Sequence, residues 1–386
     1  MKTIFLQIFR LLKTIKFFLT SMQLKFKYKN FSENVINKNE QYELFITNNI
    51  GGGVSAFTNN YILEKKNIII LKNITYGKDF FYIFENILTN EKFILRFKDV
   101  SNLVNHKSIT QIVVNSLVTN LHTFEFLRLL KESNKKIIVM VHDYYILCPN
   151  YTLFINHSHC NFQYCSTSKC KKKVNPFLIP NYSINEWREH WECFLQCINE
   201  LRCFSNSSKE FVLQIYKTIN PEKISVVPHS MNYCNFSHVK YKTNEIHVGI
   251  IGAITSEEKG ALVVQNFLEY VNINHIATTV IGPIRIKKRL HSKYINYYGP
   301  YLQKQLQDII TTENINVILF PSVCAETFSY LISELMIMNL PIVCFNYGAQ
   351  AEKIKLYSKG VICQSIDPIT IHQSLNKALK MESNND

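Results

Sequence analysis

From about residue 42 onward the chain alternates short apolar runs with stretches of helical period. The runs predict strands at Glu43–Asn48, Asn67–Leu71, Gln111–Asn115, Lys136–His142, Arg202–Ser205 and Ile224–Val227. A second series is expected at Ile246–Ile251, Ala277–Ile281, Asn314–Phe320, Pro341–Phe345 and Gly360–Cys363. Between them the spacing predicts helices at Ser55–Leu63, Leu121–Lys131, Ser207–Tyr216, Lys259–Tyr270, Gln303–Thr311, Phe328–Met338 and Pro368–Met381. Runs such as IIIL, KKIIVMVHD and VILFP are continuously apolar, as strands covered on both faces must be. The alternation therefore predicts an α/β chain with parallel sheets flanked by helices. Tyr76–Phe97 reads as a hairpin decorating the first series, and polar His229–Thr243 as a link between two units.

The first 20 residues, MKTIFLQIFRLLKTIKFFLT, follow a different pattern. At about 100° per residue, Lys2, Arg10, Lys13 and Lys16 share an arc of roughly 120°. Ile4, Phe5, Ile8, Leu11, Leu12, Ile15, Phe18 and Leu19 lie opposite. Such a helix can lie in a membrane interface, its lysines against anionic headgroups, or pack on the protein's own surface. No stretch of 18 uncharged apolar residues predicts a spanning helix, and no small-residue cleavage site follows the first apolar run. The expected organisation is a basic amphipathic leader at 1–40, a first Rossmann-like domain at 41–235 and a second at 236–386.

Composition supports two large cores: 47% of residues are hydrophobic and 19% charged, which excludes a disordered chain. The net charge is +14, favouring anionic partners, but residues 1–40 alone carry eight Lys/Arg against two acids. That excess belongs to the leader, and no nucleic-acid-binding module accompanies it, so a nucleic-acid partner is not expected. Eleven cysteines without a secretory leader fit a reducing, cytoplasmic compartment and no disulfide framework.

In open parallel sheets ligands bind beyond the carboxyl ends of the strands, which directs attention to the residues there. Gly51, Gly52 and Gly53 separate the first strand from the first helix, either letting a phosphate or sugar approach or simply making a tight turn. His142 and Asp143 end the fourth strand; a histidine there can hydrogen-bond a ligand or serve structure alone. In the second series Gly252 turns the chain, and Lys259, entering a helix, can reach a diphosphate as a point charge. Then comes FPSVCAETFSYLISELMIMNLPIVCFNYG. Thr327, Phe328 and Ser329 would bring N–H groups at a helix start, an anion cradle. Glu326 and Glu334, about two turns apart, would share a face if the helix starts early; alternatively they are a dipole-matching acid and a solvated residue.

In this order, the Gly-rich turn, the HD pair, K-G before a helix and E-T-F-S with a second glutamate resemble glycosyltransferase family 4, between roughly Leu44 and Ile362. The resemblance implies a GT-B fold, two Rossmann-like domains facing each other across a cleft. It also implies transfer of a sugar from a nucleotide-diphosphate sugar to a glycan or lipid-linked hydroxyl, with retention of configuration. By it, Glu326 and His142 are the candidate catalytic residues, Glu326 at the donor sugar's hydroxyls. Glu334 would hold the ribose. Gly252, Lys259, Thr327, Phe328 and Ser329 would bind the donor, Lys259 and the N–H groups of the last three neutralising its diphosphate. Gly51–Gly53 and Asp143 would form a phosphate or acceptor loop. No metal is required where a lysine and a helix start neutralise the leaving group.

Family members often carry an arginine soon after the position of Gly252; here Gly252–Ser256 has none, so either Lys259 bears the diphosphate alone or Arg285 after the next strand helps. This departure supports an alternative, a weakly active nucleotide-sugar-binding or scaffold protein of the same fold. The leader suits a lipid-linked acceptor, hence surface polysaccharide or glycolipid synthesis by a peripheral enzyme on the inner face of a membrane. Separately, Cys148, Cys160, Cys165 and Cys170, spaced C-x11-C-x4-C-x4-C with His157 and His159 nearby, are candidates for a structural zinc or are reduced packing thiols.

Overall fold

The structure is a computed structural model describing residues 29–49, 51–76, 79–155, 157–160, 182–241 and 245–381. The amphipathic leader at 1–20 lies outside the described residues. The chain forms two compact units. Among these described residues, unit 1 takes those within 29–151, 182–203 and 211–227, and unit 2 those within 152–160, 204–210 and 228–381.

Unit 1 is built on a sheet whose first seven strands are β1 (Lys29–Asn30), β2 (Tyr42–Asn48), β3 (Ile68–Tyr76), β4 (Asp79–Asn86), β5 (Glu91–Leu95), β6 (Ile109–Val114) and β7 (Lys136–Met140). After a short antiparallel pair in unit 2, β8 (Phe154–Ile155) and β9 (Ser158–His159), come β10 (Glu200–Cys203) and β11 (Ile224–Val226). The nine strands run in the order β1-β5-β4-β3-β2-β6-β7-β10-β11. Every residue of β2 is buried, because parallel neighbours flank it and helices cover it. The expected hairpin is an antiparallel β3–β4–β5 meander. Helix Ile184–Leu195, absent from the sequence expectation, carries a Ser183–Glu186 capping box and buries Ile184, Trp187, Trp191, Phe194 and Leu195. Each such side chain contributes roughly 1.5–3 kcal/mol.

Unit 2 holds β12 (His247–Ile251), β13 (Ala277–Ile281), β14 (Ile295–Gly299), β15 (Val317–Phe320), β16 (Ile342–Phe345) and β17 (Gly360–Cys363). All pairings are parallel, in the order β14-β13-β12-β15-β16-β17. Helices Ala261–Ile273 and Pro368–Lys380 bury Phe267, Leu268, Ile371 and Leu375 in one apolar layer. Helices Leu306–Thr312 and Tyr330–Ile337 put Ile310, Ile332 and Leu335 into a second. The direction of strand succession reverses between β12 and β15, the place where such sheets receive ligands.

Candidate active site

The loops that follow β12 and β15 meet at Gly260. Its φ is 86°, and a Cβ there would stand 2.1 Å from the Pro321 carbonyl oxygen. Glycine alone permits this approach. It sets the half-exposed Lys259 against Glu326, Nζ to Oε1 at 2.7 Å. The Glu326 backbone is fixed from the other side. Gly348, with φ 50°, leaves no room for a Cβ against the Glu326 amide and carbonyl, both 2.7 Å from that position. Ala349 N–H donates to the Glu326 carbonyl (2.8 Å), and Glu326 N–H donates to Gln350 Oε1 (3.0 Å). Fully buried Gln350 in turn donates to the Cys324 carbonyl at 2.6 Å.

Burial opposes ionisation of Glu326. The Lys259 charge and hydrogen bond, with the Ser329 and Ser322 hydroxyls, outweigh it and hold the carboxyl below its ordinary range. Lys259 is likewise raised: burial opposes its charge, and Glu326 overcomes that.

The following helix is Tyr330–Ile337, starting two residues later than the spacing predicts. Ser329 is its N-cap and has φ 62° and ψ 90°, so Thr327, Phe328 and Ser329 form the turn before the helix. The amides without an intrahelical acceptor are then those of Tyr330, Leu331 and Ile332. Glu326 and Glu334 therefore do not share a helix. Glu334 is 6% exposed, and Tyr233 Oη (3.4 Å) and Gln303 Nε2 (3.3 Å) both donate to its Oε1. Burial raises its pKa against these two hydrogen bonds. Sequence reasoning missed Tyr233 and Gln303, which lie far away in the chain and belong to no motif.

Gly252 (φ 123°) bonds to the Ile281 carbonyl at 2.9 Å. The loop after it is zipped to the loop after β13: Ile254 N–H donates to Pro283 O and Arg285 N–H to Ile254 O, both at 2.9 Å. Arg285 is thus carried beside the Gly252 loop, with its side chain exposed.

In unit 1, Gly51 and Gly52 have φ of 93° and 69° and precede helix Gly53–Leu63, with nothing within 4 Å of either missing Cβ. Phe57 of that helix packs on the His142 ring, centroids 4.5 Å apart. Asp143 accepts from Ser116 Oγ (2.7 Å) and from Tyr145 N–H (3.0 Å), while Asn48 Nδ2 donates to the Ser116 hydroxyl at 2.7 Å. Burial pushes Asp143 up to about 6 against those two hydrogen bonds. The strand ends of β2, β6 and β7 thereby gather the glycine turn, His142 and Asp143.

Of the four cysteines considered for zinc, Cys148 is buried and Cys160 half-buried, while Cys165 and Cys170 lie outside the described residues. His157 Nδ1 contacts Glu257 Oε2 at 2.9 Å, and His159 packs on Tyr347. Among the described residues no group of three His, Cys, Asp or Glu side chains is placed to hold a metal ion. Nor is any described helix long and apolar enough to cross a membrane.

No family model matches the sequence, and no curated protein matches it. Solved structures do. HepE of Anabaena, crystallised with UDP, matches at 12% identity over 88% of this chain and 90% of its own, with a TM-score of 0.56. Another HepE crystal holds UDP-glucose. Sucrose-phosphate synthase of Thermosynechococcus elongatus matches at 10% identity over 88% and 90%, TM-score 0.56. The lipopolysaccharide outer core galactosyltransferase WaaB matches at 14% over 89% and 91%, TM-score 0.54. At such identities the likeness establishes fold: two units, each an α/β sheet with parallel strands, matching GT-B glycosyltransferases.

Proposed function

We propose that this protein is a retaining glycosyltransferase that moves a sugar from a nucleotide-diphosphate sugar to a hydroxyl of a glycan or lipid-linked acceptor. The observation that carries the reading is the Lys259–Glu326 pair, built by Gly260 and Gly348 at the switch point of the unit 2 sheet. The UDP and UDP-glucose held by HepE in the same fold support the donor class. Departure of a nucleoside diphosphate develops negative charge. Lys259 and the N–H groups of Thr327–Ser329 and the helix start would stabilise it in place of a metal. Glu326 would accept from hydroxyls of the donor sugar, and Glu334, held by Tyr233 and Gln303, from the ribose. Gly252 lets the loop pass close to the donor, and exposed Arg285 is available to its phosphates. Unit 1 would serve the acceptor through Gly51–Gly53 and Asp143, and His142 the reacting sugar. The basic leader would keep the enzyme at the inner face of a membrane, where surface polysaccharide or glycolipid precursors are built.

A single-turnover assay with a panel of sugar nucleotides tests this. One donor is expected to release its nucleoside diphosphate, by transfer or by slow hydrolysis, and Glu326→Ala to abolish that release. Saturable donor binding without release would instead support a binding or scaffold protein.

A further inference from the structure

Lys353 belongs to none of the motifs or roles above. It stands on helix Gly348–Leu356, half-buried against the turn that follows Glu326. Its ammonium donates to the Ser329 carbonyl (3.2 Å) and Ser333 Oγ (2.5 Å), and it lies 3.3 Å from the centre of the Phe328 ring. All three partners are neutral, and they offset only part of the cost of removing a full charge from water. The nearest carboxylates are committed elsewhere. Glu326 pairs with Lys259 at 2.7 Å. Glu352 accepts from the amides of Asn206 (3.1 Å) and Ser207 (2.8 Å) and from Asn206 Nδ2 (2.8 Å). Lys259, the cation singled out by sequence, is thus already neutralised by Glu326. Of Lys259 and Lys353, only Lys353 has no carboxylate of the described residues among its contacts; Glu352, one residue before it, is held by neutral groups and offsets part of its field.

We infer that Lys353 supplies a positive charge, unpaired by any carboxylate at contact distance, that receives the diphosphate in unit 2, and that it positions the Thr327–Ser329 turn through the Ser329 carbonyl. This rests on the reading of the site as one for a nucleotide-diphosphate sugar. An incoming diphosphate meets a neutral pair at Lys259 and partial charges at the helix start; besides the exposed Arg285, Lys353 is the cation there that no carboxylate at contact distance matches. Burial pulls its pKa down to about 7, with Glu326 and Glu352 partly opposing. A bound dianion would raise it again. The groups around it do not compete in that range. Glu326 and Glu352 lie below the usual carboxylate value, Lys259 and Tyr330 are raised, and His229, packed on Phe328, is at about 3.

The test is calorimetric titration of the full chain with inorganic pyrophosphate and with UDP at pH 6.5 and 8.5, for wild type, K353M and K353R. Pyrophosphate avoids any choice of base or sugar. K353M is expected to bind both ligands at least tenfold more weakly at pH 6.5, and K353R to bind like wild type there. With a group titrating near 7, the wild type should lose about tenfold against K353R by pH 8.5, a ratio that a merely structural lysine would not move. K353M binding within twofold of wild type, or a wild-type to K353R ratio flat with pH, overturns the inference; should K353M fail to fold, that ratio decides. A wild type that binds neither ligand overturns the reading of the site, and the inference with it.

Discussion

Gly260→Ala perturbs the contact that assembles the unit 2 site, and its cost can be worked from the geometry. At φ 86° an L-residue pays roughly 1–2 kcal/mol for left-handed backbone. The added Cβ would also stand 2.1 Å from Pro321 O, 2.7 Å from its carbonyl carbon and 2.8 Å from its Cβ. Carbon contacts are favourable only beyond about 3.5 Å, so the loop after β15 must withdraw by about 1 Å. These atoms are backbone and proline ring; no flexible side chain can swing aside. Overpacking of this kind adds about 1–3 kcal/mol, for a total of about 2–5. Gly299→Ala is the control in the same unit: its φ is 87°, but its missing Cβ has nothing within 4 Å. It should show the conformational term alone. At roughly 2–4 °C per kcal/mol for a unit of this size, G260A should melt about 4–20 °C below wild type by calorimetry and below G299A. Pyrophosphate affinity should fall with it, because Lys259 is the neighbouring residue. Equal melting points for the two variants would refute the claim that the Pro321 contact makes glycine necessary at 260.

Other outcomes follow from the same structure. E326A should abolish donor turnover while costing only about 1–2 kcal/mol of stability by urea unfolding, since Lys259 is half-exposed and can rehydrate; near-normal turnover would remove Glu326 from the chemistry. Asp143 is raised to about 6, so its ionised form is favoured less in the folded state than in the unfolded one. Stability is therefore expected to fall as pH rises from about 4 to 6, by at most roughly 3 kcal/mol, and D143N should flatten that slope in urea midpoints taken across this range. Deleting residues 1–20 should release the protein from anionic vesicles in a sedimentation assay, and continued sedimentation would dismiss the leader as the anchor.

What could be read from the sequence divides along physical lines. Strands buried on both faces announce themselves: VILF at β15 is apolar throughout, and all four residues are buried. The edge strand β14, INYYG, alternates buried or half-buried positions with exposed ones and carries polar residues, so no apolar run marks it. Helix Gly348–Leu356 was missed because its sequence, GAQAEKIKL, buries small or polar residues such as Ala349 and Gln350 and has no apolar stripe. Helix Ile184–Leu195 was legible: Ser183-x-x-Glu186 is a capping box, and Ile184, Trp187, Trp191 and Leu195 recur at helical spacing. The Phe328 start was wrong because spacing cannot see Ser329 turning to a positive φ.

The site divides in the same way. Local chemistry, such as a glycine after a strand or a lysine before a helix, survives in a sequence because its residues are neighbours. Charge compensation does not, because it depends on who stands opposite whom. Lys259 and Glu326 are 67 positions apart, and Lys353 meets Ser329 across 24. Read singly, Lys259 is the obvious cation and Lys353 one charge in a polar stretch without an apolar stripe. Placed together, the first is paired with the acid that motif reasoning assigned to the sugar, and the second has no acid at contact distance. A missing arginine in the Gly252 loop is then no measure of the site's electrostatic strength: that strength is fixed by how many cations lack an acid at contact distance, and Lys353, with only neutral partners, is such a cation.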